Sequence, residues 1–254
     1  MSWAQRRKST YILSFLFIIF LILIAVFFLF FNKRPTCFDG VKNQGETGID
    51  CGGPCSILCR AEYSNPSIIW VRWAKVLSSG SYNLLAYAEN PNIGVGAYDV
   101  PYMFKVYDKN NILLYSKNGS TYIPPNNNFV IFTDGIKIND KIPARIVFEF
   151  LNGYVWNKIE NKDAVIVAIS KSIIDENTKP KVLVTLKNKS FDLIKNIESV
   201  AVLYDENDNA VAFSRTIVDS LAGEESQNIT FTWPEKFENK IYKIEIISKA
   251  LPAH

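Results

Sequence analysis

Asn83-Leu-Leu-Ala-Tyr-Ala-Glu-Asn90 recurs in this chain as Lys181-Val-Leu-Val-Thr-Leu-Lys-Asn188, at an offset of 98 residues. A second pair of stretches, Val106-Tyr-Asp-Lys-Asn-Asn111 and Leu203-Tyr-Asp-Glu-Asn-Asp208, keeps almost the same offset, 97 residues. A period of about 100 residues that contains several strands is the size of one β-sandwich domain. The chain of 254 residues is therefore expected to contain the same domain twice.

Apolar and polar residues alternate along the short segments that follow residue 60. This pattern is typical of half-buried strands in antiparallel sheets. We predict an all-β body of two tandem antiparallel sandwiches, residues 66–152 and 164–250, with a linker at residues 153–163. The alternating apolar positions include Tyr102/Phe104/Val106, Val182/Val184/Leu186, Ile229/Phe231/Trp233 and Tyr242/Ile244/Ile246.

The residues from Tyr11 to Phe31 contain no charge, no Pro and no Gly. A helix of this length spans about 30 Å, which is the thickness of the hydrocarbon core of a bilayer. We predict a transmembrane helix at residues 11–31, which contacts membrane lipid, after a cytoplasmic tail at residues 1–10. A buried core helix is normally shorter or interrupted by polar residues. A cleaved signal peptide has a shorter apolar region and ends in a small-x-small site, which this run lacks.

The charges divide unevenly between the head and the body of the chain. Arg6, Arg7 and Lys8 precede the apolar run, Lys33 and Arg34 follow it, and residues 1–34 contain no acid. Positive residues favour the cytoplasmic side, so this three-to-two distribution favours a cytoplasmic N-terminus. Since the whole chain has a net charge of +3, the rest of it sums to −2. A slightly acidic body gives no electrostatic reason to expect a nucleic-acid partner.

The single histidine, His254, is the last residue, and this excludes several classes of enzyme. Ser-His-Asp and Cys-His nucleophile systems and His-based zinc hydrolases need an imidazole inside a folded site. Carboxylate-based glycan hydrolysis remains open, but Asp205-Glu206 and Glu224-Glu225 are expected in solvated turns. No P-loop or GxGxxG string occurs. We expect no catalytic residues, no cofactor and no metal site.

The four cysteines, Cys37, Cys51, Cys55 and Cys59, lie just beyond the apolar run with the spacing C-x13-C-x3-C-x3-C. Their segment is rich in Gly and poor in apolar residues, so it needs cross-links to hold a shape. We predict a cysteine-rich stalk module at residues 35–62 with two disulfides. Zinc is the alternative, although the paired C-x2-C knuckles of zinc ribbons are absent. The spacing leaves the disulfide pairing open.

The string Cys-x-Asp-Gly-x-x-Asn-x-x-Glu-x-x-x-Asp-Cys-Gly-Gly-x-Cys, from Cys37 to Cys55, resembles a small cysteine module of bacterial cell-surface proteins. The resemblance implies an extracytoplasmic, disulfide-bonded spacer and no activity. Asp39, Glu46 and Asp50 are expected to cap turns in this module. A calcium site is the alternative, but the ligand spacing of an EF-hand is missing.

Phe104-Lys-Val-Tyr-Asp108 and Ala201-Val-Leu-Tyr-Asp205 each follow a strand that ends in Asn. They are similar to the FxLYD-type immunoglobulin-like modules of prokaryotic envelope proteins, relatives of the fibronectin-III-like and late-embryogenesis sandwiches. The second copy also has Trp233-Pro234, which the first copy lacks. The resemblance implies an immunoglobulin-like fold and an envelope location, and it transfers no catalytic residue.

For several single residues the sequence leaves two structural interpretations open. Asp108 and Asp205 are expected to bond to their own turns, with a calcium site at Asp205–Asn209 as the alternative. Trp70 or Trp73 is expected to close a sandwich end and Trp156 to pack at the joint between the sandwiches, with a binding patch formed by these tryptophans as the alternative. Asn-x-Ser/Thr strings, which some secretory routes glycosylate, begin at Asn118, Asn188 and Asn228.

These expectations combine into a non-enzymatic, single-pass membrane protein whose body is extracytoplasmic. Its role would be structural or adhesive, through sandwich surfaces presented to a protein partner that the sequence does not identify. An accessory scaffold of a secretion, pilus or cell-wall machine is the alternative, and a carboxylate-based glycan hydrolase is a third. Exposed edge strands are one route by which sandwiches bind partners.

Overall fold

The computed structural model describes residues 3–31, 35–77, 80–138, 141–159 and 166–251. Lys33, Arg34, His254 and the last residues of the predicted linker, 160–163, lie outside the described residues. Within them the chain forms one α-helix, a single 3-10 turn and an all-antiparallel set of strands. The elements are α1 (Trp3–Phe31), β1 (Ser67–Leu77), β2 (Ser81–Asn90), β3 (Val95–Tyr107), β4 (Leu113–Ile123), β5 (Asn127–Lys137), β6 (Arg145–Phe150), β7 (Trp156–Lys158), β8 (Ile166–Ile174), β9 (Lys181–Asn188), β10 (Ile194–Tyr204), β11 (Ala210–Leu221), β12 (Ser226–Thr232) and β13 (Lys243–Ala250).

The N-terminal helix α1 contains the whole predicted apolar run and begins eight residues before it. Residues 3–10 have neither Pro nor Gly, so nothing in them ends the helix. The guanidinium of Arg7 lies 4.4 Å from the ring centroid of Trp3, one turn apart on the same face. Arg7–Phe27 is long and apolar enough to cross a membrane, and none of it is buried against the rest of the chain.

The first sandwich consists of two sheets, with strand orders β1-β2-β5 and β4-β3-β6, and β7 pairs with β3. Its core lies between the sheets and includes Leu84, Phe104, Phe129 and Trp156. Tyr102, Phe104 and Val106 are buried on β3, as their alternation predicts. Ser56 to Leu58 runs along β7 and exchanges backbone hydrogen bonds with it, so the chain joins this sandwich directly after Cys55.

The second sandwich consists of sheets β12-β9-β8 and β11-β10-β13. Val182, Val184, Leu186, Ile229, Phe231 and Trp233 are all buried in its core, as predicted. In the last predicted run Ile244 and Ile246 pack on the core as predicted, whereas Tyr242 is exposed and β13 begins after it. Ile241 also packs on the core. The chain crosses over just before β13, where Tyr242 N–H donates to the carbonyl of Tyr204.

Side chains bond to backbone carbonyls at two edges of the second sandwich. The hydroxyl of Thr216 on β11 donates to the carbonyl of Thr230 on β12 at 2.9 Å. On the opposite side the ammonium of Lys171 on β8 donates to the carbonyl of Ile244 at 2.9 Å. These bonds satisfy edge carbonyls that would otherwise be available to another strand.

Two central strands, β2 and β10, are buried on both faces. One face of each points into its own sandwich, and the other face lies in a third apolar cluster that the two sandwiches share. The sheet β1-β2-β5 therefore packs face to face against β11-β10-β13, in the manner of stacked sheets. Two tandem β-sandwiches are present as predicted, and they are stacked, with one sheet of each packed against the other.

Candidate functional site

The cysteine module contains the two disulfides that the sequence predicts. Cys37 is bonded to Cys55, with 5.7 Å between their Cα atoms. Cys51 and Cys59 are also disulfide-bonded, and the chain has no free cysteine. The first cysteine therefore pairs with the third, which resolves the pairing that the spacing left open.

The acidic residues of the module cap its turns. Asp39 accepts the N–H of Thr36 at 3.0 Å and the N–H of Val41 at 2.9 Å. Asp50 accepts the N–H of Gly40 at 2.9 Å. Gly40 has a φ of +73°, a conformation that glycine adopts without the steric cost of a side chain. The carboxylates thus hold a backbone that has few apolar contacts of its own.

Cys37, Glu46 and Cys55 form the one group of potential metal ligands found among the described residues. Glu46 is buried, and its carboxylate accepts the N–H groups of Asn43 and Asp50. Zinc binds thiolate sulfur, but these two sulfur atoms are bonded to each other. The group is therefore a buried disulfide beside a turn-capping glutamate, and its donor atoms do not suit zinc.

The two Tyr-Asp turns have the geometry expected from their sequence. Asp108 accepts the N–H groups of Asn110 and Ile112, and Asp205 accepts those of Asn207 and Asn209. The hydrogen bond from the backbone of Asn209 is the main reason that the pKa of Asp205 is lowered. In both repeats the carboxylate accepts hydrogen bonds from the backbone of its own turn.

The acidic pairs considered for glycan hydrolysis also lie in turns. Glu225 accepts the N–H of Ala222 at 2.7 Å, and Glu224 pairs with Lys187 at 3.1 Å. Glu206 is exposed in the turn that Asp205 caps. Each of these groups has a local structural role or faces solvent.

Asn90 and Asn188, which end the repeated strands, have the same structural role. The amide of Asn90 donates to the carbonyls of Val95 and Pro124. The amide of Asn188 donates to the carbonyls of Asp192, Leu221 and Ala222. Each side chain thus ties the end of its strand to two neighbouring segments. Asn188 is completely buried, so it is no glycan acceptor, whereas Asn118 and Asn228 are exposed.

The junction between the sandwiches is the largest feature that the sequence did not predict. Its apolar centre includes Leu85 and Phe132 from the first sandwich and Val202 and Phe213 from the second. The amide of Asn83 donates to the carbonyl of Phe213 at 3.1 Å across the junction. Trp70 packs against this centre and stacks on Tyr87. Trp156 was expected at the joint, but it lies in the core of the first sandwich, because β7 pairs with β3 there.

A buried lysine connects the sandwiches on one side of this centre. The ammonium of Lys249, on β13, donates to the hydroxyl of Thr121 and the carbonyl of Val130, both at 3.1 Å. It also lies 3.2 Å from the carboxylate of Glu198. Burial lowers the pKa of Lys249, although the carboxylate opposes this shift. All three donor directions of the ammonium therefore have an acceptor.

Arg215 extends this charged group toward the surface. Its guanidinium lies 3.4 Å from Glu198 and 3.4 Å from Asp134 on β5 of the first sandwich. The same cation lies 5.3 Å from the ring centroid of Phe132. Lys249, Glu198 and Arg215 line a cavity of about 220 Å³ together with Tyr102 and Tyr122. On one wall of the cavity Lys249 and Arg215 both pair with Glu198, and Asp99 also lines the cavity.

A shared carboxylate connects the sandwiches on the other side. Glu245 accepts the phenol of Tyr204 at 2.6 Å and the phenol of Tyr87, from the first sandwich, at 3.0 Å. Burial and the carboxylate raise the pKa of Tyr87 to about 12 and also raise the pKa of Tyr204. Both phenols therefore remain protonated donors at neutral pH.

A sequence signal for this junction does exist. Tyr82-Asn-Leu-Leu-Ala-Tyr-Ala88 and Val200-Ala-Val-Leu-Tyr204 are nearly continuous apolar runs rather than alternating ones. Continuous runs are typical of strands buried on both faces. The polar contacts carry no such signal, because Lys249 lies 119 and 128 positions away from its partners in the first sandwich.

Comparisons with known proteins assign no family. No protein-family model matches the chain, and no curated protein matches it. Among solved structures, the crystal structure of red sea bream transglutaminase aligns over 75% of this chain, with 8% sequence identity and a TM-score of 0.24. The chain spans about a third of that structure's length, 32%. This similarity is too small to support any argument about fold or activity.

Proposed function

We propose that this chain is a non-enzymatic, single-pass membrane protein that presents two stacked sandwiches in the extracytoplasmic space. The proposal rests on the order of α1 and the disulfides along the chain. An apolar helix of membrane-spanning length ends at Phe31, and the bonded cysteines begin at Cys37. Disulfides persist in oxidising compartments, so the side of the membrane that α1 leads to is the oxidising one. The basic residues before the helix favour the same orientation.

The sandwiches support a structural or adhesive role. At their junction Lys249 and Arg215 both form ion pairs with Glu198, and Glu245 accepts hydrogen bonds from two phenols. These ion pairs and hydrogen bonds hold the two sandwiches together. Two joined sandwiches that follow a disulfide-bonded module along the chain suit the presentation of surfaces to a protein partner in the cell envelope, as the FxLYD-type resemblance also implies.

Thiol labelling in intact cells tests the orientation. All four cysteines are bonded, so a membrane-impermeant maleimide should label the protein only after a reductant is added. A Ser9→Cys variant places a thiol in the N-terminal tail and serves as the control, which should react only after the inner membrane is permeabilised. Labelling of reduced Cys37 and Cys55 only after permeabilisation would overturn the proposal.

Retention of α1 and its role are tested separately. A peptide tag at the N-terminus should stay with the body in carbonate-washed membranes, and its loss would identify α1 as a cleaved signal. If an unrelated anchor helix replaces residues 11–31 and function persists, α1 serves as an anchor. Loss of function with normal localisation would favour the accessory scaffold of a membrane machine, since that role needs contacts made by α1 itself.

A further inference from the structure

The strand β4 is a long edge strand, and the hydroxyl of Thr121 near its end accepts a hydrogen bond from Lys249 of the second sandwich. It lies at the end of the sheet β4-β3-β6, so within the described residues it pairs with β3 on one side and with no strand on the other. It has eleven residues and no Pro, and Lys117 is its one charge. Such an edge is available to pair with another strand.

On three other edges a side chain bonds to a backbone carbonyl. Thr216 bonds a carbonyl of β12, Lys171 bonds a carbonyl of β13, and Lys249 bonds a carbonyl of β5. The edge strand β1 has two register irregularities along its length, and β6 has six residues. The pairing of β4 with β3 also has two irregularities, one toward each end, and it is regular from Tyr115 to Thr121.

The sequence of β4 is complementary to itself in the antiparallel direction. We infer that β4 pairs with β4 of a second copy of this chain, across a twofold axis at Asn118. In a twofold contact each residue i meets j while j meets i, so a self-pairing strand must match its own reverse. Apolar residues then meet apolar residues at both ends, and small polar residues meet in the middle. The pairs are Leu114/Tyr122, Tyr115/Thr121, Ser116/Ser120, Lys117/Gly119 and Asn118/Asn118, whereas Ile123 is fully buried in the core of its own sandwich.

The charge on β4 selects this register. With the axis at Asn118, Lys117 lies opposite Gly119, which has no side chain. With the axis at Lys117 the two lysines would lie directly opposite each other, and like charges in that position destabilise a strand pair. Gly119 is itself fixed by packing, because a Cβ atom there would lie 2.5 Å from the hydroxyl oxygen of Tyr102.

The pair is expected to be weak in dilute solution and stronger in a shared membrane. A single strand pair buries less surface than the roughly 1,200 Å² of a stable complex. Two copies held in one bilayer meet at a much higher effective concentration than two free copies. The experiment therefore uses the full chain in proteoliposomes.

Cysteine crosslinking under mild oxidation tests the pairing and its register. Opposite Cα atoms in antiparallel strands are about 4.5–5.5 Å apart, which a disulfide can span. Asn118→Cys alone should form a covalent dimer roughly tenfold more than Asn177→Cys, an exposed control in the turn before β9. Ser116→Cys and Ser120→Cys should crosslink as a mixture and little when each is alone. Peptide mapping confirms that Cys37–Cys55 stays intact.

A charge variant tests whether the crosslinks depend on the proposed strand pairing or form by chance collision. Asn118→Lys, added to the Ser116→Cys and Ser120→Cys mixture, puts two ammonium groups opposite each other. It should lower the crosslinked fraction roughly tenfold, while Asn177→Lys leaves it unchanged. The proposal is wrong if Asn118→Cys crosslinks no better than Asn177→Cys. It is equally wrong if Ser116→Cys alone links as well as the mixture, or if Asn118→Lys has no effect.

Discussion

At the scale of single residues, Asn188 shows how one buried amide holds a strand end in place. Its amide nitrogen donates to three carbonyls, and its oxygen accepts the N–H and the hydroxyl of Ser190. Asn90 does the same in the first repeat, with the N–H of Asn92 as the donor to its oxygen. The repeated Asn is therefore a structural signature of the domain rather than a site.

Replacing Asn188 with Ala should destabilise the protein by about 2–4 kcal/mol, because three carbonyls lose their donor at once and the one at Leu221 is buried. The free energy of unfolding in urea, followed by tryptophan fluorescence of the full chain in detergent, measures this. Asn177→Ala is the matched control, since Asn177 is exposed in a turn, and it should change the free energy by less than about 0.5 kcal/mol. Equal effects of the two variants would contradict the assigned role.

The Tyr87–Glu245–Tyr204 group predicts how stability depends on alkaline pH. The pKa of Tyr87 is about 12 in the folded chain, against about 10 for an ordinary tyrosine, and the pKa of Tyr204 is raised as well. A phenol with a raised folded pKa stabilises the fold fully below its unfolded pKa. That contribution is lost as pH rises through the folded value. The free energy of unfolding should therefore fall from pH 10 upward.

Removal of both phenols should make this fall shallower. In the Tyr87→Phe, Tyr204→Phe double variant the remaining slope includes Tyr122, whose pKa burial raises to about 12. Lys249 has a lowered pKa and the opposite slope, but it is present in both proteins and cancels in the difference. Tyr242→Phe, at an exposed tyrosine, is the control. Identical pH profiles for the double variant and the natural chain would disprove the assignment.

At the scale of secondary-structure elements, the repeat and the alternating runs predicted most of the strands. Asx turns such as that of Asp205 were predictable as well, because their hydrogen bonds span four residues or fewer. The stacking of the sandwiches was not predicted, although β2 and β10 carry its signal. A period-two search favours strands with one buried face, so it passes over runs that are apolar on both faces.

The same stacking predicts that a substitution in one sandwich loosens the other. Phe213 on β11 is fully buried in the shared cluster, so Phe213→Ala should cost about 3–5 kcal/mol. Its loss should also increase hydrogen exchange in β2, which belongs to the first sandwich. Phe191→Ala removes a side chain that is 92% exposed and should change neither quantity.

Hydrogen exchange measured by mass spectrometry decides whether the coupling exists. If Phe213→Ala increased exchange in β9 and β12 alone, the two sandwiches would be independent domains. Increased exchange in β2 as well would show that the cluster joins them energetically. Hydrogen exchange should also increase in β5, because the carbonyl of Val130 on β5 accepts a hydrogen bond from the buried Lys249.

At the scale of the whole molecule, the chain has two compact units, Met1–Cys55 and Ser56–His254. They are stabilised by different means. The second has three apolar clusters, whereas the cysteine part of the first has the Cys37–Cys55 disulfide, capped turns and few buried side chains. A segment with so little apolar burial depends on its cross-links for a fixed shape.

Reduction should therefore unfold the cysteine part and leave the sandwiches folded. Lys42 is exposed within the disulfide-bonded segment, while Lys187 lies in β9, so trypsin can report on both units in one sample. With a reductant, cleavage after Lys42 should become faster by roughly tenfold, because an unfolded segment fits the protease and a cross-linked turn does not. Cleavage after Lys187 and the β signal in circular dichroism should stay unchanged. A Cys37→Ser, Cys55→Ser variant should show fast cleavage without reductant, which separates loss of the bond from side effects of the reagent. If Lys187 became accessible together with Lys42, the sandwiches would depend on the disulfides, and the two units would not be independent in stability.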